Sequence, residues 1–335
     1  MNLHVVYCDP GGVGYHPVLY MAHLAAELFD GQLTIIRRNS PTVWDKLVGT
    51  ALPRRRKGDT MCLLICASPP DLQALLLLHR WRSRYSKVVA WVFDSFWVNH
   101  IPRFVRTQQH FDHIFVTEPE DMETWSAISQ TAVSWLPWGS DVLRLGSANA
   151  SRGIDILRFG RQPPPWADDA ATDGACGLRG LVYRGRPPAH DDPGENQREL
   201  ASACARAKFT LSFSNGVNPS VQTHPLREYI TARWTDALAN GATVAGVPPK
   251  TEVIDRLLWP EALLPLTTTN LDSGLDTIAI AARNWRPEDS AYNHAQALKR
   301  LDWRWRFKAI ADVIGLQPKK LFQELAVIDQ RISQT

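Results

Sequence analysis

The sequence predicts an α/β protein with two doubly wound parallel sheets, and two observations indicate this class. Short apolar runs of strand length alternate with segments whose apolar residues have helical spacing, as in parallel sheets covered by helices. The chain has 335 residues, more than one core usually holds, since a domain averages about 150 residues. We therefore expect Rossmann-like domains at residues 1–150 and 151–315, facing each other across a cleft, and a C-terminal helix at 316–335.

The first half contains a regular series of strands and helices. A glycine-rich turn at 11–14 separates the first strand from the first helix, and Asp71 is predicted to cap a later helix. The predicted strands are 3–7, 33–36, 61–67, 88–93, 113–117 and 133–136, and the predicted helices include 17–28 and 71–82.

The second half repeats this alternation with longer polar connections. Residues 161–180 and 214–224 lack apolar periodicity and are predicted as loops. A helix at 225–239 is predicted to end at Asn240-Gly241, which is a typical C-cap. The remaining predicted strands are 154–159, 181–183, 209–213 and 242–245, and the remaining predicted helices are 196–207, 275–285, 290–314 and 318–332.

Composition excludes several classes of protein. A net charge of only +3 argues against a nucleic-acid binder. The start of the chain lacks the pattern of a signal peptide, and no apolar run reaches the roughly 18 residues that a membrane span requires. We expect a cytoplasmic protein with reduced, buried cysteines; the five are Cys8, Cys62, Cys66, Cys176 and Cys204.

Positive charge is concentrated near the N-terminus, where residues 1–110 hold 13 Lys/Arg against 7 Asp/Glu. The excess comes from residues 54–57 and from residues 79–87, where Trp81 and Tyr85 lie between the basic residues. These clusters are either an ordinary solvated surface or a region attracted to an anionic membrane surface or a phosphorylated acceptor. The second reading predicts peripheral association with the membrane.

Two carboxylates in the second half have a suggestive spacing. Glu228 and Asp236 are eight positions apart within the predicted helix 225–239. Eight positions make about 2.2 helical turns, so the two side chains would share one face. At the carboxyl ends of strands such a pair can accept hydrogen bonds from sugar and ribose hydroxyls. The alternative is an exposed helix with routine charges.

The run Ala237-Leu238-Ala239-Asn240-Gly241-Ala242, with the acids before it, resembles the donor-site helix of glycosyltransferases with the two-Rossmann (GT-B) fold. In the large retaining family of sucrose- and mannosyl-forming enzymes, two Glu residues with this spacing bracket that helix. The resemblance implies that Glu228 contacts the donor sugar or the catalytic face and that Asp236 binds ribose hydroxyls. Asp for Glu is a departure that shortens the second side chain by one methylene.

Three further segments resemble a bacterial branch of this fold that is found near exopolysaccharide and spore-coat genes. They are 133–141, 154–161 and 302–307. The resemblance covers most of residues 90–315 and implies a nucleoside-diphosphate sugar, UDP- or GDP-linked, as co-substrate. No other cofactor is expected.

Cations and backbone N–H groups are needed to hold the diphosphate of such a donor. Arg161 follows a strand at the position of the family's phosphate-binding Arg. Gly12 lies in a loop whose N–H groups are able to cradle phosphate, although a tight strand–helix turn needs glycine in any case. Arg37-Arg38 replace the acid expected after the second strand of an NAD-binding domain, which argues against a dehydrogenase. The other predicted donor-binding residues are Ser214, Thr231 and Arg233.

Two residues of the first half are predicted on the acceptor side. Asp94 ends a buried strand and is placed to orient or deprotonate an acceptor hydroxyl, or simply to cap the next helix. His16 follows the glycine loop and is the second candidate. No Asp-x-Asp motif occurs, so we expect no metal site and metal-independent transfer.

The sequence thus predicts transfer of a sugar to a cytosolic or lipid-linked acceptor in polysaccharide or glycoconjugate biosynthesis. Two alternatives stay open. One is another enzyme of this fold, such as an epimerase or an inverting transferase, since 209–213, 229–231 and 236–238 are locally similar to fucosyltransferases. The other is an inactive relative that binds a carbohydrate.

Overall fold

The computed structural model describes residues 2–220 and 223–334, and the chain forms two compact units. Unit 1 contains Met1–Pro137 and Arg304–Val327, and unit 2 contains Trp138–Trp303 and Ile328–Thr335. The chain therefore changes unit after Pro137, after Trp303 and after Val327, whereas boundaries near residues 150 and 315 were predicted. Ser140 explains the first change, because its N–H donates to the carbonyl of Leu301 (2.8 Å) within unit 2.

Unit 1 contains a six-stranded sheet in which every neighbouring pair is parallel. The strand order is β2-β1-β3-β4-β5-β6. The strands are β1 (Leu3–Asp9), β2 (Gln32–Arg37), β3 (Thr60–Cys66), β4 (Tyr85–Val92), β5 (His113–Val116) and β6 (Val133–Trp135).

The helices of unit 1 depart from the prediction at residues 71–82. A single helix capped by Asp71 is wrong: Asp71 instead completes a capping box with Ser68 at the start of a short 3₁₀ turn. Arg80 adopts a left-handed conformation (φ 51°), which breaks the helical path before the next helix begins. The helices are α1 (His16–Leu28), α2 (Val43–Ala51), α3 (Ala74–Leu77), α4 (Trp81–Arg84), α5 (Arg103–Thr107) and α6 (Met122–Ser129).

Unit 2 contains a five-stranded parallel sheet in the order β11-β10-β9-β7-β8. Its strands are β7 (Ile154–Arg158), β8 (Tyr183–Arg184), β9 (Ala207–Leu211), β10 (Thr243–Gly246) and β11 (Leu263–Pro265). Its helices are α7 (Val142–Leu145), α8 (Asp169–Gly177), α9 (Pro193–Cys204), α10 (Ala232–Ala239), α11 (Glu252–Leu257), α12 (Leu271–Asn284) and α13 (Pro287–Arg300), and the chain ends with α14 (Trp303–Ile314) and α15 (Lys319–Ser333).

Each sheet has its own core of buried apolar side chains, and the cysteines are free and buried within these elements. The predicted loop at 161–180 is partly wrong, because Asp168 caps α8 with its side chain. The predicted helix end is confirmed, since Asn240 is the C-cap of α10 and Gly241 has a positive φ of 72°. In the part of the chain that the structure describes, no helix has both the length and the apolarity to cross a membrane.

The two sheets share one topological feature. In each, the second strand lies on one side of the first strand and the third strand lies on the other side. The order therefore reverses between β1 and β3 in unit 1 and between β7 and β9 in unit 2. At such a reversal the connections leave in opposite directions, and a ligand crevice opens outside the carboxyl ends of the strands. The predicted class, two parallel-sheet α/β domains, is confirmed.

Candidate functional site

The order reversal in unit 2 brings together the segments that follow β7 and β9. Gln162 connects them, because its amide donates to the carbonyls of Phe159 (3.0 Å) and Leu211 (3.2 Å). Arg161 follows β7 on one side, and the polar segment that starts at Ser212 follows β9 on the other. Residues 221 and 222 of the predicted loop 214–224 lie outside the described residues.

The helix predicted at 225–239 is shorter than expected, because α10 begins at Ala232. The residues before it make hydrogen bonds that a helix would not allow. Asn215 donates to the carbonyl of Arg227 (2.7 Å), and the ring nitrogen Nδ1 of His224 accepts from the N–H of Arg227 (3.0 Å). Glu228 is therefore outside the helix, and the premise that it shares a helical face with Asp236 is wrong.

Glu228 instead connects two segments at the carboxyl edge of the sheet. Its Oε2 accepts a hydrogen bond from the hydroxyl of Ser214, which follows β9, and from the N–H of Lys250 (3.1 Å), which follows β10. Gly216 lets the carboxylate come close, since a Cβ there would lie 2.6 Å from Cδ of Glu228. The carboxylate is thus fixed by its neighbours rather than by a helix.

The side chain of Arg233 reaches the main chain of Arg161, the arginine that follows β7. Arg233, in the first turn of α10, donates from Nη1 to the backbone carbonyl of Arg161 (2.8 Å). Burial, and then the nearby charge of Arg161, lower the pKa of Arg233 to about 10. Among the described residues, no carboxylate lies within ion-pair distance of either guanidinium. Two cations that influence one another and have no counter-ion among the described residues attract an anion.

Four buried polar atoms near the same edge have no hydrogen-bond partner among the described residues. Each belongs to the segment after β9 or to the residue before α10. A buried polar atom without a partner is costly, and it gains a hydrogen bond when a polar ligand binds. The four atoms are Oγ of Ser212, Oδ1 of Asn215, Nδ2 of Asn218 and Oγ1 of Thr231.

Asp236 lies in the second turn of α10 and is only 5% exposed. Its Oδ1 accepts from the hydroxyl of Ser140 (2.7 Å), and its Oδ2 lies 3.5 Å from the amide nitrogen of Gln197. Burial raises the pKa of Asp236 to about 6, although both hydrogen bonds favour the charged form. Both carboxylate oxygens thus have partners within unit 2. Contact of Asp236 with ribose stays a prediction.

A cavity of about 390 Å³ lies beside the order reversal, at the carboxyl end of β8. Its lining includes three arginines, of which Arg186 donates to the carbonyl of Gly160 (3.2 Å) and so borders the segment that follows β7. Asp169 lines the same cavity and is paired with Arg158 (2.7 Å). Glu199 also belongs to the lining, so three arginines face two acids, and the cavity has a small excess of positive charge near Gly160.

In unit 1 the order reversal brings the glycine turn near the end of β4. Gly11 and Gly12 both have positive φ (81° and 87°), and the N–H of Gly11 donates to Asp9 (2.9 Å). This conformation explains the glycines, and among the described residues no atom lies within 4 Å of a Cβ built at Gly12. The turn therefore has open space above it.

Asp94 lies at this edge and accepts a hydrogen bond from the hydroxyl of Tyr15 (3.1 Å). Burial raises the pKa of Asp94 to about 7, while the bond from Tyr15 lowers it. His16 begins α1 directly after Tyr15, and its Nδ1 is buried without a partner among the described residues. The carboxylate and the hydroxyl form a pair that sequence reasoning missed, since Tyr15 carries no motif.

The predicted site residues thus fall into two groups. Arg161, Ser214, Glu228, Thr231 and Arg233 are gathered at the order reversal of unit 2, with Asp236 beneath it, whereas Gly12, His16 and Asp94 belong to unit 1. Sequence reasoning missed the buried amides of the segment after β9, although their polarity after a strand was a usable signal. Among residues 2–220 and 223–334, no three His, Cys, Asp or Glu side chains converge on a common point.

The pKa of Asp236 leads to a prediction about stability. Because burial raises the folded-state pKa from the ordinary 3.8 to about 6, the folded protein loses stability relative to the unfolded chain as pH rises between these values. The loss is at most roughly 3 kcal/mol. Asp236→Asn keeps an acceptor for Ser140 and cannot ionise, so we expect its free energy of unfolding to lack this decline.

Urea denaturation of both proteins from pH 4 to pH 7 measures the difference. Asp312→Asn is the control, because Asp312 is half-exposed and pairs with Lys308 on the same helix. Parallel pH profiles for wild type and Asp236→Asn would contradict the buried position of this carboxylate.

Comparison with known proteins gives similarity at the level of structure. No family model matches the chain, and no curated protein sequence matches it. The structure of HepE from Anabaena in complex with UDP superposes with a TM-score of 0.51 at 10% identity, covering 94% of this chain and 100% of that chain. At this identity the similarity shows the fold alone.

Two other solved structures have lower scores. The DNA-modifying enzyme β-glucosyltransferase, solved with and without uridine diphosphoglucose, gives 0.49 at 12% identity, covering 94% of this chain and 100% of that chain. A mutant of TarM from S. aureus, in complex with fondaparinux, α-GlcNAc-glycerol and UDP, gives 0.48 at 8% identity, covering 78% of this chain and 56% of that chain. The two parallel-sheet domains of this chain match the fold of GT-B glycosyltransferases.

Proposed function

We propose that this protein transfers a sugar from a nucleoside-diphosphate sugar to an acceptor, and that the donor binds at the order reversal of unit 2. The observation that carries the proposal is the pair Arg161 and Arg233. The guanidinium of Arg233 donates to the backbone carbonyl of Arg161, and neither arginine pairs with a carboxylate among the described residues. Burial and the nearby charge of Arg161 lower the pKa of Arg233 to about 10. A diphosphate placed between them neutralises both cations and stabilises the leaving group as the sugar departs.

The surrounding groups suit the rest of a donor. Arg233 lies in the first turn of α10, and the positive end of a helix dipole favours phosphate. The unpartnered atoms of Ser212, Asn215, Asn218 and Thr231 supply both donors and acceptors for sugar or ribose hydroxyls. The cavity beside Gly160 has room for part of a nucleoside.

We assign Glu228 to the donor sugar and Asp236 to positioning. Glu228 is held by Ser214 and Lys250, so its second carboxylate oxygen is available in a fixed direction. Asp236 anchors α10 from inside through Ser140 and Gln197, which supports the placement of Arg233 one turn earlier.

The acceptor side is assigned to the edge of unit 1. A carboxylate with a pKa of about 7 is a suitable general base at neutral pH, and Asp94 has this property. His16 and the open turn at Gly12 are the neighbouring groups that bind or orient an acceptor hydroxyl. A base that deprotonates the acceptor fits an inverting outcome, so the stereochemistry of the product separates the inverting alternative from a retaining enzyme.

Several finer parts of the proposal come from the resemblance described above. We propose a UDP- or GDP-linked donor without a metal, a glycan or lipid-linked acceptor, and a role in bacterial polysaccharide or glycoconjugate synthesis in the cytoplasm. HepE, which has a similar fold, is in complex with UDP, so UDP sugars are the first donors to test.

Thermal-shift measurements with UDP, GDP, ADP and CMP sugars identify the donor, because only a bound ligand stabilises the fold by mass action. No shift with any nucleotide sugar would favour the inactive alternative.

Arg161→Ala is expected to weaken binding of the nucleoside diphosphate about tenfold to a hundredfold and to leave nucleoside binding unchanged. The reason is that charge-assisted hydrogen bonds to phosphate contribute about 1.5–3 kcal/mol, which a nucleoside without phosphate does not gain. Isothermal titration calorimetry with the identified diphosphate and its nucleoside measures both affinities.

The matched control is Arg283→Ala, which removes an exposed guanidinium from α12. Equal losses for diphosphate and nucleoside in Arg161→Ala would remove this residue from the phosphate site.

Glu228→Gln is expected to lower kcat/KM at least about tenfold while leaving the thermal midpoint nearly unchanged. The amide still accepts from Ser214 but carries no charge toward the donor sugar. Gly216→Ala is expected to act in the same direction, because its Cβ would displace the carboxylate. Glu252→Gln, which alters a partly exposed acid paired with Arg256, is the control. Normal kinetics in both site variants would argue against a role for Glu228.

Activity is expected to fall as pH drops below about 7, because protonated Asp94 no longer accepts a proton from the acceptor. Tyr15→Phe removes the hydrogen bond that lowers this pKa, so the acidic limb of the kcat/KM profile should move to higher pH. Asp94→Asn should abolish the limb together with most activity. A limb at the same pH in wild type and Tyr15→Phe would mean that another group titrates.

A further inference from the structure

Helix α2 exposes an apolar stripe that no other part of unit 1 covers among the described residues. Val43, Trp44 and Leu47 are 83%, 72% and 54% exposed. Positions 43, 47 and 51 follow one another at intervals of four, and 44 lies beside them, so these side chains share one face of the helix. A largely exposed tryptophan between two exposed aliphatic residues is rare on a solvated surface, since such side chains are usually buried.

The opposite face of α2 is the one that packs on unit 1. Gly49 is buried against Leu76, and a Cβ at this position would lie 2.7 Å from a methyl carbon of that leucine. The carbonyl of Thr50 accepts from the hydroxyl of Thr107 on α5 (3.3 Å). A capping box between Thr42 and Asp45 fixes the start of the helix. These contacts fix the orientation of α2 on unit 1, and its apolar stripe therefore faces solvent.

Exposed cations border this helix on several sides. Lys46 belongs to α2 itself, Arg55 and Lys57 follow it, and Arg103 and Arg106 lie on α5. Three acids lie near these cations: Asp45 closes the capping box, Asp112 pairs with Arg54 and Arg56, and Asp59 is exposed after Lys57. The border of the stripe thus has an excess of positive charge.

This arrangement corrects the basis of the earlier membrane prediction. Arg54 is buried and paired with Asp112, and Arg82 donates to three backbone carbonyls between residues 48 and 53. Trp81 and Tyr85 are buried, so they are not interfacial aromatics. Much of residues 79–87 is therefore engaged in packing and hydrogen bonds within unit 1. The exposed apolar residues of the stripe and the exposed cations that border it lie on and around α2.

We propose that the α2 stripe docks on an anionic phospholipid surface, with Trp44, Val43 and Leu47 entering the headgroup region and the bordering cations contacting lipid phosphates. Apolar side chains and cations on one surface each add to such binding, and tryptophan favours the membrane interface. A second copy of the chain is a poorer occupant, because a self-complementary contact would bring like charges together. The proposal does not depend on the glycosyl-transfer function.

Sedimentation with vesicles tests the proposal without any substrate. The full chain is mixed at low salt with vesicles of phosphatidylcholine alone or with added phosphatidylglycerol. We expect binding to the phosphatidylglycerol vesicles only, and weaker binding as salt rises. The triple variant Val43→Ser, Trp44→Ser, Leu47→Ser should reduce partitioning about tenfold or more, and replacing Arg55, Lys57 and Arg103 by Ser should reduce it as well.

The matched control is Leu178→Ser with Val182→Ser, which removes exposed apolar side chains (88% and 53%) from unit 2. It should bind as wild type does, and circular dichroism checks that every variant is folded. The proposal is overturned if wild type does not bind, if it binds neutral vesicles equally well, or if the triple variant binds like wild type. A change from dimer to monomer in the triple variant, with vesicle binding unaltered, would identify a second copy as the occupant.

Discussion

The arrangement of this protein depends on one constraint, the reversal of strand order within a parallel sheet. Every strand of a parallel sheet has its carboxyl end at the same edge, so the segments that follow the strands lie along that edge. Where the strand order reverses, two neighbouring segments leave in opposite directions and a crevice opens between them. Both sheets show the reversal, between β1 and β3 and between β7 and β9. Tyr15 and Asp94 lie at this edge in unit 1, and Arg161, Arg233 and Glu228 lie at it in unit 2.

Electrostatics distinguishes these edges from ordinary surface. Burial lowers the pKa of Arg233 and raises the pKa of Asp94, so each charged form is held at a cost in the ligand-free protein. Perturbed groups of this kind concentrate at functional sites because a bound substrate offsets the cost. Asp236 has a similar shift with a different consequence, since Ser140 and Gln197 already occupy its carboxylate. A shifted pKa alone therefore does not identify a ligand contact. The hydrogen-bond partners of the group show whether it is available to a ligand.

The sequence was sufficient for features that depend on local pattern. Buried parallel strands are continuous apolar runs, so β1, β3 and β4 could be recognised within a few residues, and with them the α/β class. Features set by tertiary hydrogen bonds could not be recognised. The start of α10 depends on Asn215 and His224 binding the chain before it, and residues 138–150 join unit 2 through a contact with Leu301. The pairing of Tyr15 with Asp94 joins residues 79 positions apart, which spacing along the chain does not reveal.

The proposed function requires that a nucleoside diphosphate binds at the order reversal of unit 2. Hydrogen–deuterium exchange of the full chain, with and without the diphosphate found by donor screening, measures this binding at the level of single segments. Binding should slow exchange of the amides in residues 160–162, 212–218 and 231–236, and should leave residues 154–156, at the amino end of β7, unaffected. Protection confined to the glycine turn at 11–14, or absent from residues 231–236, would contradict the account.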